Sequence, residues 1–395
     1  MNAIERVTKT VNHEEPDRIP SFEISIDNIK IRKYYGENYG LEGAASSQKL
    51  LYNLTFGNVK VMNRIIKRFV NRDYLINLLV SGDARLYRKI GLDICVAGLV
   101  LIPTTYTQIG FTDEFGRRMD YKCNPTDGMT MSYYMGGTFE NFEQYQQSAK
   151  PDPDLPIREK LFRASKQVEK ENNEEIYMIP GISGMMEVTW EGFGLQSFSK
   201  LLAHPSEAKQ VFDDRGHFAV EMVKRIIDWG EQTAILVLDD YGYKKGLFMS
   251  PRSYREYVIP WVKQICDTAH KGGLKVFLHS CGDDFQLLED IINAGVDALH
   301  PIEPTTANPQ YDIFHLKEKY GDKLCFIGNV SPQDLSDKDP DFIRLSTRKL
   351  IKKIGPGGGF ILSSGHSINP AVKLENFLAM RETLAKYGAY PISLE

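Results

Sequence analysis

Apolar runs of strand length alternate with helix-period segments along most of this chain. Helical periodicity covers residues 4–12, Pro16 breaks it, and 19–26 reads as a strand. Helical patterns continue to about 74–90 and lead into a strand at 93–98. Beyond that come helix 157–172, strand 175–182, helix 206–229, strand 234–240, helix 251–272 and strand 274–282. Helix 285–294, strand 296–302, helix 314–320, strand 324–330, helix 341–354, strand 358–362 and helix 374–387 complete the order. Eight strands separated mostly by helices predict right-handed parallel crossovers and a parallel sheet covered on both faces. The count favours an α/β fold of the (β/α)8 TIM-barrel kind, one domain over 1–395, above an open doubly wound sheet. No Gly-x-Gly-x-x-Gly follows a strand, which argues against dinucleotide binding. The Pro-Gly-Gly-Gly at 356–359 precedes a strand and reads as a turn.

One region breaks the rhythm. Residues 104–149, after the second strand, are rich in Gly and aromatics, including Phe111, Phe115, Tyr133 and Tyr134. They read as β-hairpins forming a lid over the barrel mouth, which would shield a site from water. An aromatic packing plug accounts for the same composition.

Composition narrows the function. A 42% hydrophobic, 25% charged chain is globular, and a net charge of −4 excludes a general nucleic-acid or membrane-surface binder. Five scattered cysteines (95, 123, 266, 281, 325) fit a reducing cytoplasm better than a disulfide framework. The first twenty residues carry no signal-peptide apolar core, and the longest apolar run, 94–103, is too short to span a bilayer. A cytoplasmic protein acting on a small molecule is expected, with a homodimer left open.

Candidate chemistry centres on residues 274–282, Leu-Lys-Val-Phe-Leu-His-Ser-Cys-Gly. Strand side chains alternate, so His279 and Cys281 point the same way at the strand's end. An imidazole beside a thiolate suits Zn2+ better than a hard cation. His366, after the apolar run that ends the eighth strand, is the candidate third ligand. Asp240 could be a fourth ligand or could orient a histidine. Asp239-Asp240 before a Gly also reads as plain capping, and Cys95 and Cys325 as core. Active sites of barrels lie at the C-terminal strand ends. There Asp240 and Glu303 are the candidate catalytic carboxylates, and Glu23, Tyr241 and Asn329 the candidate substrate contacts.

Several segments resemble the uroporphyrinogen decarboxylase superfamily. They are Asn12-His13-Glu14-Glu15-Pro16-Asp17-Arg18-Ile19-Pro20, Asp239-Asp240-Tyr241-Gly242 with Met249-Ser250-Pro251, Phe277-Leu278-His279-Ser280-Cys281-Gly282, and Gly357-Gly358-Gly359-Phe360-Ile361-Leu362 with His366. The resemblance implies the same barrel. The decarboxylase branch carries an Arg-Gln-Ala-Gly-Arg loop after its first strand, which grips substrate carboxylates. Here Ile24-Ser25-Ile26-Asp27-Asn28-Ile29-Lys30 stands in its place. The corrinoid-linked methyltransferase branch binds zinc through His-x-Cys on the fifth strand and a Cys on the eighth, where this chain has His366. That branch implies zinc, a corrinoid (cobalamin) supplied by a partner protein, and methyl transfer from a small substrate such as a methoxylated compound. Transfer to a thiol of the coenzyme M type, a decarboxylase, and a non-catalytic metabolite-binding barrel with His279 and Cys281 purely structural are the alternatives.

Overall fold

The protein is described by a computed structural model covering residues 1–37, 41–70, 72–98 and 101–393; Leu99 and Val100 of the longest apolar run lie outside the described residues. The strands are β1 (Ile94–Gly98), β2 (Pro103–Tyr106), β3 (Gly110–Asp113), β4 (Arg117–Cys123), β5 (Thr130–Gly137), β6 (Tyr177–Ser183) and β7 (Ala234–Leu238). After them come β8 (Gly242–Tyr243), β9 (Gly246–Leu247), β10 (Lys275–His279), β11 (Ala298–His300), β12 (Cys325–Val330) and β13 (Phe360–Ser364). Seven form one parallel sheet in the order β1-β6-β7-β10-β11-β12-β13. This is an α/β fold whose parallel sheet curls in the manner of a TIM barrel. Residues 21 and 22 run between its two edges, Ser21 bridging Leu362 and Phe22 bridging Ile94, both in parallel. The strand expected at 19–26 is thus realised as isolated bridges.

The period of two along each strand sorts side chains into two apolar clusters. Val276 and Leu278 face the surrounding helices, as do Ile235, Val237, Phe326 and Leu362. Phe277 joins Phe22, Ile94, Tyr177, Ile179, Leu236, Ala298, Ile327 and Ile361 in a second cluster inside the curled sheet. Burying each such side chain contributes roughly 1.5–3 kcal/mol. The same alternation carries His279, His300, Asn329 and Ser363 onto the inner face at the C-terminal strand ends.

A charge cluster ties together the opposite end. Asp93, just before β1, is buried and accepts from Arg6 Nη1 at 2.7 Å, Arg18 Nη1 at 2.8 Å and the Ser21 N–H at 2.8 Å. It holds the first helix (Ala3–Val11) and the 18–21 segment onto the sheet.

Two helices depart from the sequence pattern. The helix expected over 251–272 is split at Val258 into Pro251–Tyr257 and Ile259–Lys271. Pro260 has no N–H to offer the carbonyl of Glu256, so a continuous helix would lose a bond and clash there. The helix Met186–Leu202 was not expected at all. Gly192 and Gly194 dilute its periodicity, and Gly194 leaves helical geometry at φ 72°.

The region 104–149 holds an antiparallel sheet, β2-β3-β4-β5, then a short helix, Phe142–Gln147. Its aromatic rings pack on neighbours. Phe111 is buried against Tyr106 and Tyr121, and Phe115 against Phe218. Tyr134 lies edge-on to Trp190, and its hydroxyl donates to the Glu191 carbonyl at 2.7 Å. These contacts match the packing reading of the aromatics. Among the described residues no helix is long and apolar enough to cross a membrane.

Candidate functional site

His279 ends β10, two residues beyond Phe277 on the inner face, and Cys281 lies two residues past the strand's end. The next residue, Gly282, has φ +97° and passes so close to the 242–243 backbone that a Cβ there would sit 2.7 Å from the Gly242 oxygen. Only glycine fits, and the close approach fixes the Cys281 loop against Asp240 and Tyr241. Asp240 Oδ1 accepts the Cys281 N–H at 2.9 Å.

These contacts gather three donors. Among the described residues, Asp240, His279 and Cys281 each offer an atom within 4.8 Å of the others. Cys281 Sγ lies 3.5 Å from His279 Nε2, and Asp240 Oδ1 lies 3.6 Å from the same nitrogen. Tetrahedral zinc, with its usual bond lengths, sets sulfur and nitrogen about 3.5 Å apart and nitrogen and oxygen about 3.4 Å apart. The residues present therefore fit the metal.

The electrostatics agree. Burial lowers the pKa of His279, which keeps its imidazole neutral and ligating. Burial pushes the Cys281 thiol well above its ordinary range, and the charged groups acting on it, Asp240, Glu303 and Asp284, are acidic and push the same way. A thiolate at this position calls for a bound cation.

The other expected site residues fall in different places. His366 is exposed on the loop after β13; its Nδ1 accepts the Ser367 N–H at 2.8 Å. The third donor beside His279 and Cys281 is thus Asp240, where the sequence pointed to His366. β13 ends at Ser364, and His366 follows it by two residues, after Gly365, which packs against Pro304 and still donates to the Val330 carbonyl at 2.8 Å. His366 nonetheless lines the same cleft as Cys281 and Glu303, about 420 Å³ in volume, with Tyr243, Lys244 and Asn369. Glu303 is held at the wall by the Thr305 hydroxyl at 2.6 Å.

Asn329 is buried at the end of β12 with no partner for its Oδ1. Tyr241 is fully buried in the outer core against Tyr254 and does not line the cleft. Glu23 is buried too, accepting from the backbone N–H of Ser364 at 3.2 Å and from the Ser364 hydroxyl. Burial raises its pKa to about 7 against those bonds. Asp239 is a cap, as the capping interpretation of Asp239-Asp240 expected: its carboxylate accepts from Met185 N at 3.0 Å and Glu187 N at 2.9 Å. It starts the helix Met186–Leu202, and a Cβ on Gly184 would come within 2.5 Å of its Oδ2. Cys95 and Cys325 are buried core residues.

His300 lies within the run 296–302 that the sequence pattern marks as a strand. Here it stacks on His279, ring centroids 4.9 Å apart, with 2.7 Å between the two Nδ1 atoms. The signal was the paired endings Phe-Leu-His and Ala-Leu-His, which the parallel register sets side by side, His279 opposite His300.

Comparison with known proteins gives a family. The model of the uroporphyrinogen decarboxylase (URO-D) family matches residues 126–387, more than half of the chain. Uroporphyrinogen decarboxylase from Hydrogenovibrio crunogenus is 28% identical over 194 residues, covering 47% of this chain and 51% of that protein. The enzyme of the same name from Pseudoalteromonas atlantica is 26% identical over 253 residues, 60% of this chain and 66% of that one. The chain thus spans between half and two thirds of the length of these relatives. A methyltransferase from Methanosarcina mazei shares the fold across 98% of this chain and 99% of its own, with TM-score 0.63 and 16% identity.

Proposed function

This chain belongs to the uroporphyrinogen decarboxylase family, and on that premise we propose that it is a zinc-dependent methyltransferase. It would move a methyl group between a small methoxylated compound and a corrinoid carried by a partner protein. The observation that carries the reading is the convergence of Asp240, His279 and Cys281 beside a cleft that Cys281 lines together with Glu303 and His366. Zinc held by these three would supply a Lewis acid that polarises the oxygen bearing the methyl group.

The chain's own residues supply binding and order. His279 offers a neutral imidazole because burial disfavours its cation. Asp240 both joins the donor set and holds the Cys281 backbone in place. Glu303, fixed by Thr305, faces the cleft as the group to exchange a proton with the departing oxygen. His366, lining the cleft with its Nδ1 taken by the Ser367 N–H, would offer an Nε2–H to the substrate, and the buried, unpartnered Oδ1 of Asn329 lies at the end of β12. Tyr241 supports the Asp240 turn from behind, and Glu23 fixes the end of β13. In this reading residues 104–149 form a lid over the mouth of a (β/α)8 barrel.

A second reading, decarboxylation of a porphyrinogen, is favoured by the names of the curated relatives. Against it stand the absence of arginine from residues 24–30 and the acidic surroundings of Cys281. The test is methylation of a reduced corrinoid protein when methyl ethers are supplied, with and without a zinc chelator. Methylation that disappears on chelation supports the proposal. Full transfer after metal removal, or turnover of uroporphyrinogen without any corrinoid, would overturn it.

A further inference from the structure

His300 touches none of the three donors' ligating atoms, yet it governs the nitrogen that His279 presents. It is fully buried on the inner face of β11, in register with His279 on β10. Phe22 packs edge-on against its ring at 5.2 Å, which leaves the imidazole no freedom to flip outward. Its Nε2 faces the backbone carbonyl of Ser364 at 3.2 Å, with the Ser363 hydroxyl at 3.3 Å. A carbonyl oxygen only accepts, so the Nε2 of His300 carries the hydrogen. The Nδ1 of a neutral His300 is then an acceptor.

That acceptor lies 2.7 Å from His279 Nδ1, which must therefore carry its own hydrogen. The lone pair of His279 is left on Nε2, the nitrogen that faces Cys281 Sγ and Asp240 Oδ1. We propose that His300 is a positioning residue: with the Ser364 carbonyl it forms a two-ring relay that locks His279 in the Nε2-ligating tautomer for the metal. The inference rests on the zinc reading above and adds a residue to it. Metal-binding histidines are commonly oriented through their second nitrogen, and losing that partner weakens affinity by about 10–100-fold.

Two substitutions separate this role from packing. His300→Asn puts an amide oxygen near the place of Nδ1 and so keeps the acceptor while losing the ring. His300→Phe keeps the ring and its stacking and loses the acceptor. Zinc affinity, measured by competition with a chromophoric chelator, is expected to fall about 10–100-fold in His300→Phe and to stay within a few-fold of wild type in His300→Asn. The reverse order, or equal affinity in all three proteins, would overturn the relay while leaving the zinc reading intact. Failure of the wild-type protein to bind zinc would overturn both. A second measurement needs no variant at position 300. In nitrogen NMR of histidine-labelled, metal-free wild type, His279, identified by its loss in His279→Ala, should carry its proton on Nδ1; a proton on Nε2 would refute the relay.

Discussion

Replacing Gly282 by alanine inserts a methyl group where the Cys281 loop passes closest to the 242–243 backbone. The new Cβ would overlap the Gly242 carbonyl carbon and stand 2.7 Å from its oxygen, and neither can rotate away as a side chain would. The residue would also hold φ +97°, which an L side chain adopts at a cost of about 1–2 kcal/mol. Overpacking adds about 1–3 kcal/mol, so about 4 kcal/mol is expected in all. For 395 residues at ~2.1 cal/mol/K each, the unfolding entropy is about 0.8 kcal/mol/K, so Tm should fall by about 5 °C. The fold therefore survives, but the loop must shift, and Cys281 Sγ leaves its place 3.5 Å from His279 Nε2. Gly273→Ala is the control. It lies just before β10 at φ +78° with open space around its Cβ, so it carries the conformational cost alone. Differential scanning calorimetry and zinc titration of both variants check the reasoning. Gly282→Ala should melt lower than Gly273→Ala and bind zinc at least tenfold more weakly. Equal melting, or wild-type zinc affinity in Gly282→Ala, would refute it.

Two further predictions concern the scaffold. Asp93→Ala leaves Arg6 and Arg18 without their shared buried carboxylate, and with Arg6 only 8% exposed the loss should be about 3 kcal/mol in urea unfolding; a loss below about 1 kcal/mol would contradict the clamp. Glu23 has its pKa raised from 4.5 to about 7 by burial, so the folded state keeps a proton that the unfolded chain releases. Its contribution to stability is present below about pH 4.5 and is lost as pH rises through about 7, by about 3 kcal/mol in total. Glu23→Gln should therefore flatten the decline in unfolding free energy between those pH values, and an unchanged slope would refute the assignment.

Much of this was legible in the sequence because strands announce themselves by period. The run 274–282 put His279 and Cys281 on one face; the inner cluster containing Phe277 carries that alternation to His279, and Cys281 Sγ lies 3.5 Å from its Nε2. What was hidden depended on distant partners. The helix Met186–Leu202 has no side-chain cap of its own; its cap, Asp239, comes from the end of the next strand. The donor nearest to His279 and Cys281 is Asp240, which the sequence offered only as a fourth ligand or an orienting group. His366 lies two residues past β13, just as Cys281 lies two past β10, so strand period does not separate them; Asp240 is drawn in by the backbone N–H of Cys281. The run 19–26 looked like any other strand, yet its ladder is limited to bridges at Ser21, Phe22 and Ile26.

X-ray absorption at the zinc edge, on protein loaded with one equivalent of metal, tests the metal centre most directly. The expected result is one tightly held zinc per chain with a single sulfur at about 2.3 Å and nitrogen or oxygen ligands at about 2.0–2.2 Å. Cys281→Ser should lose the sulfur and most of the metal, and His366→Ala should keep both. A zinc shell without sulfur, or one that Cys281→Ser leaves unchanged, would contradict the site formed by Asp240, His279 and Cys281.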